Sequence, residues 1–243
     1  MRIAVAAVRS VLTYVAVSLY IVLLGPPCLL IAFAIGSPRV LFAAGLGGIR
    51  LGVFLCGIRV VTEGAEHLQR QRAAVYAVNH TSNVEPPLLF DVLHELFPRL
   101  RILYKAELRK LPILVRAFDL GGFIPLERGN REQSLPAIER AAAALRDGNS
   151  FLIFPEGTRS RTGALLPFKK GGFIMALKAQ APVVPVAIAG ARDAMRKGSP
   201  IIYPVTVRIR LGEPIETAGL GMEDRDTLAA RVRDAVGRLL TGD

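Results

Sequence analysis

Cysteine, histidine and acidic side chains are all scarce in this chain of 243 residues. The two cysteines, Cys28 and Cys56, lie inside apolar runs, which excludes a disulfide framework and a CxxC metal motif. His67, His80 and His94 are the only histidines, and with two distant cysteines they form no metal-ligand spacing. Glycine (23) and proline (16) follow no fixed period, which excludes collagen-like and low-complexity chains. No GxSxG elbow is present, which counts against the common serine-hydrolase route. Helix-turn-helix, RNA-recognition and zinc signatures are missing as well. Acid is outnumbered by base, 20 Asp and Glu against 31 Lys and Arg, for a formal net charge of +11. What is abundant is apolar: 51% of residues are hydrophobic and the mean hydropathy is +0.40. Disordered basic tails are poor in such residues. The length suits one medium domain with an appendage. Basicity of this kind fits nucleic acid or an anionic membrane. The apolar N-terminus favours the membrane, and no nucleic-acid partner is expected.

Charge is absent from residues 10–38, with Arg2 and Arg9 before the run and Arg39 at its end. A bilayer core needs about 20 apolar residues, so the run is long enough to span one. Gly25-Pro26-Pro27 interrupts it, and a helix over residues 3–24 is expected to break or kink there. A second apolar stretch, residues 40–60, carries Arg50 and Arg59 and reads as an interfacial or packed helix. The run is too long for a signal peptide and no small-residue cleavage site ends it. Two arrangements follow: one transmembrane helix, or a helical hairpin lying partly in one leaflet. The hairpin, with arginines on its flanks, places the following domain on the cytoplasmic face of the inner membrane.

Beyond residue 57 apolar strands and amphipathic helices alternate. Residues 73–78 (AAVYAV), 151–154 (FLIF) and 183–188 (VVPVAI) are continuous apolar runs, as in buried strands. Shorter strands are expected at 101–104 and 123–126. Residues 204–211 alternate apolar and polar, which predicts a half-exposed strand. Helical spacing appears at 88–97, 107–118, 134–146, 169–180 and 224–240. The fold class is therefore α/β, a largely parallel central sheet flanked by helices, preceded by an N-terminal membrane-associated helical segment. Residues 1–57 form the anchoring helices and 58–243 the α/β domain.

Three segments carry chemistry. Asn79-His80-Thr81-Ser82-Asn83-Val84-Glu85 follows the first strand of the domain. A carboxylate holding one imidazole nitrogen leaves the other as a general base near neutral pH, and Glu85 can hold His80 in this way. Glu85 precedes proline, so its backbone is expected outside the α region, near the N-cap of the next helix. The second segment, Phe154-Pro155-Glu156-Gly157-Thr158-Arg159-Ser160, follows the FLIF strand. Gly157 permits close backbone approach to a ligand, and Thr158 and Arg159 suit phosphate oxygens. The third, residues 121–128 (GGFIPLER), ends on Arg128, and Lys105 likewise follows a strand. Ligands of open α/β sheets bind outside the carboxyl ends of the strands, where His80, Lys105, Arg128 and residues 156–159 all fall.

NHTSNVEPP, GGFIPLER, FPEGTRS and APVVPVAI, in that order and spacing, resemble the four blocks of the glycerolipid acyltransferases. The 1-acyl-sn-glycerol-3-phosphate acyltransferase group is the nearest in pattern, and the resemblance runs from about residue 57 to the C-terminus. It implies a membrane-bound transfer from acyl-CoA or acyl-carrier protein to the free hydroxyl of a lysophospholipid, giving phosphatidic acid without cofactor or metal. Residue by residue it implies His80 as the base and Glu85 as its partner. Arg128, Glu156, Gly157, Thr158 and Arg159 fall in the acceptor-phosphate blocks, with Lys105 as a further contact and Pro185 near the acyl donor. Glu85 stands where the family usually has Asp. That departure leaves open a lipid-binding relative with weak or lost catalysis. Other lysolipid acceptors are a further alternative.

Overall fold

The computed structural model describes residues 2–110, 112–127 and 131–242. Two long helices come first, α1 (Arg2–Ile35) and α2 (Arg39–Cys56). The expected break at Gly25-Pro26-Pro27 does not end α1, which carries both prolines inside it. Each proline removes one backbone hydrogen bond, but in an apolar run every alternative to helix leaves more backbone groups unpaired. α1 and α2 pack against each other as a hairpin. The Tyr20 hydroxyl donates to the Ala44 carbonyl at 2.9 Å, over the gap left by Gly47 and Gly48.

The second apolar stretch divides at Gly57. Its positive φ of 72° closes α2, with its N–H donating to the Val53 and Phe54 carbonyls. The chain then enters β1 (Arg59–Glu63), a strand hidden in what reads as a helical stretch. The order continues β2 (Val75–Val78), α3 (Glu85–Val92), β3 (Leu100–Lys105), α4 (Pro112–Leu120), β4 (Ile124–Leu126), α5 (Arg131–Arg146) and β5 (Ser150–Ile153). It closes with α6 (Gly171–Ala179), β6 (Val183–Ala189), α7 (Ala191–Ala194), β7 (Thr206–Leu211) and α8 (Arg225–Thr241). Two helices are shorter than their spacing suggests. The one expected over 88–97 ends at Val92, with a 3₁₀ turn after it, and the one over 107–118 is divided into a 3₁₀ turn, Ala106–Lys110, and α4.

The strands form one seven-stranded sheet in the order β1-β7-β6-β2-β5-β3-β4. Every pairing is parallel except β6 with β7. Side chains of alternate residues go to opposite faces, and both faces are covered. Tyr76, Val78, Leu152, Val186 and Ile209 pack with Leu88, Leu89 and Leu93 on the α3 side. Val75, Ala77, Phe151 and Ile153 pack with α5, α6 and α8 on the other. That double cover explains the unbroken apolar runs of β2, β5 and β6. Because β6, β2, β5, β3 and β4 run the same way, their carboxyl ends share one edge.

α2 lies against this domain along its length. Phe42 stacks on Phe97 with ring centroids 4.5 Å apart, and Arg50 Nε donates to Asp91 Oδ1 at 2.9 Å. α1 is tied near its start, where the Tyr14 hydroxyl donates to the Pro200 carbonyl at 2.7 Å and Ser10 Oγ accepts the Ile202 N–H at 2.8 Å. Farther along, the outward side of α1 is bare and apolar: Val22, Leu23 and Leu30 are 66%, 68% and 71% exposed.

Candidate active site

His80 and Glu85 come together at the end of β2. Glu85 is the first residue of α3, with Val84 as N-cap, so it starts the helix rather than standing outside it. From there its side chain reaches back along the turn. Glu85 Oε2 lies 2.6 Å from His80 Nδ1. The carboxylate is fully buried and also accepts the Thr81 N–H at 2.8 Å, the Ser82 N–H at 3.0 Å and the Thr81 hydroxyl at 2.5 Å. A buried carboxylate requires such donors to offset the loss of water. With Nδ1–H donating to Glu85, Nε2 is the ring atom left to accept a proton. The Phe154 ring stacks on the imidazole with centroids 4.2 Å apart. Asn79 anchors the turn by a paired contact with Ile188, its Nδ2 donating at 3.0 Å and its Oδ1 accepting at 2.8 Å.

The loop after β5 runs beside this pair. The Ser160 N–H donates to the His80 carbonyl at 2.7 Å. Glu156 is buried and turned inward: Oε1 accepts the His80 N–H at 2.7 Å and Oε2 the Leu166 N–H at 3.0 Å. Its carboxyl braces the histidine loop instead of facing a ligand, unlike the phosphate contact its sequence block implies. Burial pushes its pKa up, and the two N–H bonds only partly counter this. Gly157 has φ of 69°, a conformation that favours glycine, and its open side lies against the end of the Lys169 side chain. Thr158 is exposed and Arg159 half-buried.

The other expected residues divide. Lys105 ends β3 at the same sheet edge, but its ammonium pairs with Glu107 at 2.9 Å. Arg128 lies outside the described residues. Pro185 is not brought to His80. It pairs with Ala77 inside the sheet, three residues short of His80, and borders a cavity of about 770 Å³ beside α8, on the face away from α3. The Gly212 N–H donates to the Pro185 carbonyl at 2.8 Å, but Pro185 has no N–H to return the bond, and pairing with β7 proper begins at Val186.

Two features escape sequence reasoning. One is Lys197, 38 residues from the nearest expected phosphate contact, whose Nζ donates to the Arg159 carbonyl at 3.0 Å. The other is an apolar cavity of about 380 Å³ between α2, α3 and α4, bordered by Phe42, Leu46, Pro86, Pro87, Phe90 and Phe123. It starts one residue from Glu85. Its walls come from separate stretches of chain, and no local pattern marks them.

A family model described as Acyltransferase matches residues 59–189. A 1-acyl-sn-glycerol-3-phosphate acyltransferase of Limnanthes douglasii is 32% identical over 197 residues, 80% of this chain and 67% of that one. The human protein named 1-acyl-sn-glycerol-3-phosphate acyltransferase alpha is 31% identical over 184 residues, 75% of this chain and 64% of its own. Among solved structures, the 1-acyl-sn-glycerophosphate (LPA) acyltransferase PlsC from Thermotoga maritima matches with a TM-score of 0.82 and 26% identity. That match covers 100% of this chain and 98% of the other.

Proposed function

The chain belongs to the acyltransferase family, and on that premise we propose that it acylates the free hydroxyl of 1-acylglycerol-3-phosphate to give phosphatidic acid. The observation that carries this reading is the 2.6 Å contact between His80 and a fully buried Glu85, set beside the loop of Thr158 and Arg159. Glu replaces the family's usual Asp, and the pair is still formed at hydrogen-bond distance.

The acceptor's phosphate sits against Thr158 and Arg159, with Arg128 as a further contact. In the lysolipid the free hydroxyl is one carbon from the phosphate-bearing carbon. Holding the phosphate at this loop therefore brings the hydroxyl to His80 Nε2, and such positioning supplies a large part of the rate. His80 takes the hydroxyl proton as its oxygen attacks the thioester carbonyl of acyl-CoA or acyl-carrier protein. The tetrahedral intermediate collapses, the carbon–sulfur bond breaks, and the imidazolium returns the proton to the leaving thiolate. Glu85 fixes the ring through Nδ1–H and stabilises the imidazolium while it exists. The 380 Å³ apolar cavity next to Glu85 offers room for acyl carbon atoms.

The hairpin of α1 and α2 seats the enzyme in one leaflet of the membrane. α2 packs on the domain from Phe42 to Arg50, so it lies along the domain and not away from it. The bare apolar side of α1 then faces lipid. This arrangement keeps the domain on one side of the membrane, the cytoplasmic face, where soluble thioesters reach it.

His80→Ala tests the reading. Transfer from acyl thioester to lysophosphatidic acid should fall by at least about 10²-fold, the scale of a lost general base. Full activity in that variant would remove the assignment.

A further inference from the structure

We propose that Lys197, which lies outside all four sequence blocks, is a further contact for the acceptor's phosphate and sets the preference for a phosphate-bearing lysolipid over a neutral one. The inference rests on the acyl-transfer reading above and deepens it. Lys197 is half-buried in the segment between α7 and β7. Its Nζ reaches across to the loop after β5, donating to the Arg159 carbonyl at 3.0 Å and lying 3.5 Å from Thr158 Oγ1. An ammonium has three N–H groups, so one remains for a ligand at this spot.

Charge pairing separates this lysine from several others of the domain. Lys105 pairs with Glu107, Lys170 with Asp226 and Lys178 with Glu139. Among the described residues, Lys197, Lys169 and Arg159 form no ion pair with a carboxylate. Lys197 thus stands at Thr158 and Lys169 beside Gly157, in the same loop as Arg159, with no carboxylate paired to any of the three among the described residues. Partly burying a cation costs free energy unless an anion or dipoles compensate. A phosphate monoester, carrying up to two charges, supplies that compensation.

The position of Lys197 is also fixed relative to His80. Ser82 Oγ, three residues before Glu85, donates to the Met195 carbonyl at 2.7 Å. Arg192 Nε donates to the Arg161 carbonyl at 3.1 Å. The Lys197 segment is therefore stitched both to the histidine turn and to the phosphate loop. An anion held there stays at a set distance from Nε2.

Lys197→Gln removes the charge and keeps an N–H donor for the Arg159 carbonyl, and Lys197→Arg keeps the charge. Full-length protein in detergent micelles would be assayed with lysophosphatidic acid and with monoacylglycerol of the same chain length. Equilibrium binding of both lipids would be measured alongside. Lys197→Gln should raise KM and Kd for lysophosphatidic acid roughly ten- to hundred-fold, the scale of one charged hydrogen bond, with a much smaller change in kcat. Binding of monoacylglycerol should not move, and Lys197→Arg should recover most of the loss. Unchanged affinity for lysophosphatidic acid, or equal weakening toward both lipids, would overturn the contact in favour of a simple brace. If the wild-type protein binds lysophosphatidic acid better than Lys197→Gln but never acylates it, the contact stands and the acyl-transfer reading falls.

Discussion

Two buried carboxylates, Glu85 and Glu156, contact His80, and their surroundings send them to different tasks. Glu85 accepts hydrogen bonds from Thr81, Ser82 and the imidazole, and so holds the ring in place. Glu156 has only two backbone donors, and burial outweighs them. The sign of its pH dependence follows. Unfolded, Glu156 titrates near its ordinary 4.5, whereas the folded group holds its proton to higher pH. Its contribution to stability is therefore largest below that value and is lost as pH rises through the folded pKa. Glu156→Gln cannot ionise. Thermal unfolding of both proteins from about pH 4 to 8 should show wild-type stability falling relative to the variant across this window. A flat difference would contradict the account. At this scale the sequence shows residue type and spacing but not direction. His80 and Glu85 are legible because a turn after a strand brings such positions together. The inward turn of Glu156 depends on Leu166, and Lys197 meets a loop 38 residues away at Arg159.

Between elements, close approach decides the geometry. Gly47, Gly48 and Gly52 of α2 face Tyr20 and Val17 of α1. A Cβ on Gly47 would stand 2.5 Å from the Tyr20 hydroxyl, the same oxygen that donates to Ala44. Gly47→Ala should therefore cost about 1–3 kcal/mol, the range for overpacking, read as a lower unfolding midpoint in detergent. In a Tyr20→Phe background, which lacks that oxygen, the same substitution should be nearly neutral, and the double-mutant cycle measures the coupling. Equal costs in both backgrounds would show that the glycine serves something other than this contact. The elements themselves were unequally legible. β2, β5 and β6 announce themselves because a strand covered on both faces is apolar throughout. β7 does so by alternation, with Val207, Ile209 and Leu211 buried and Arg208 exposed. β1 does not, since its valines continue the apolar stretch of α2 and only the positive φ of Gly57 separates them. Pro26 and Pro27 mislead in the other direction, because a local breaker does not override an apolar helix with no better conformation.

At the scale of the whole molecule, apolar surface and charge are divided between two parts. Residues 1–57 hold four arginines and no acid, so residues 58–243 still carry a formal +7. A peripheral basic protein would leave a membrane at high salt, because exposed charges are screened over about 10 Å at 0.1 M. Here the apolar side of α1 adds a term that salt does not weaken. α1 has 34 residues, about 50 Å of helix, well beyond the roughly 30 Å of a bilayer core. That length is compatible with a tilted span as well as with a helix lying in the interface, so length alone does not choose. The contacts of α2 support the proposed hairpin: Phe42 in its first turn and Arg50 past its middle both touch the domain, and in that arrangement the bend at residues 36–38 lies on the domain's side of the membrane. Ser37→Cys, with Cys28 and Cys56 replaced by serine, gives a single thiol at that bend. In sealed vesicles a membrane-impermeant maleimide should label it from the same side as a tag on the C-terminus, at low salt and at high salt alike. Labelling from the opposite side would mean that α1 crosses the bilayer. The lysolipid and its thioester donor would then have to meet in an arrangement different from the one in which α2 lies along the domain.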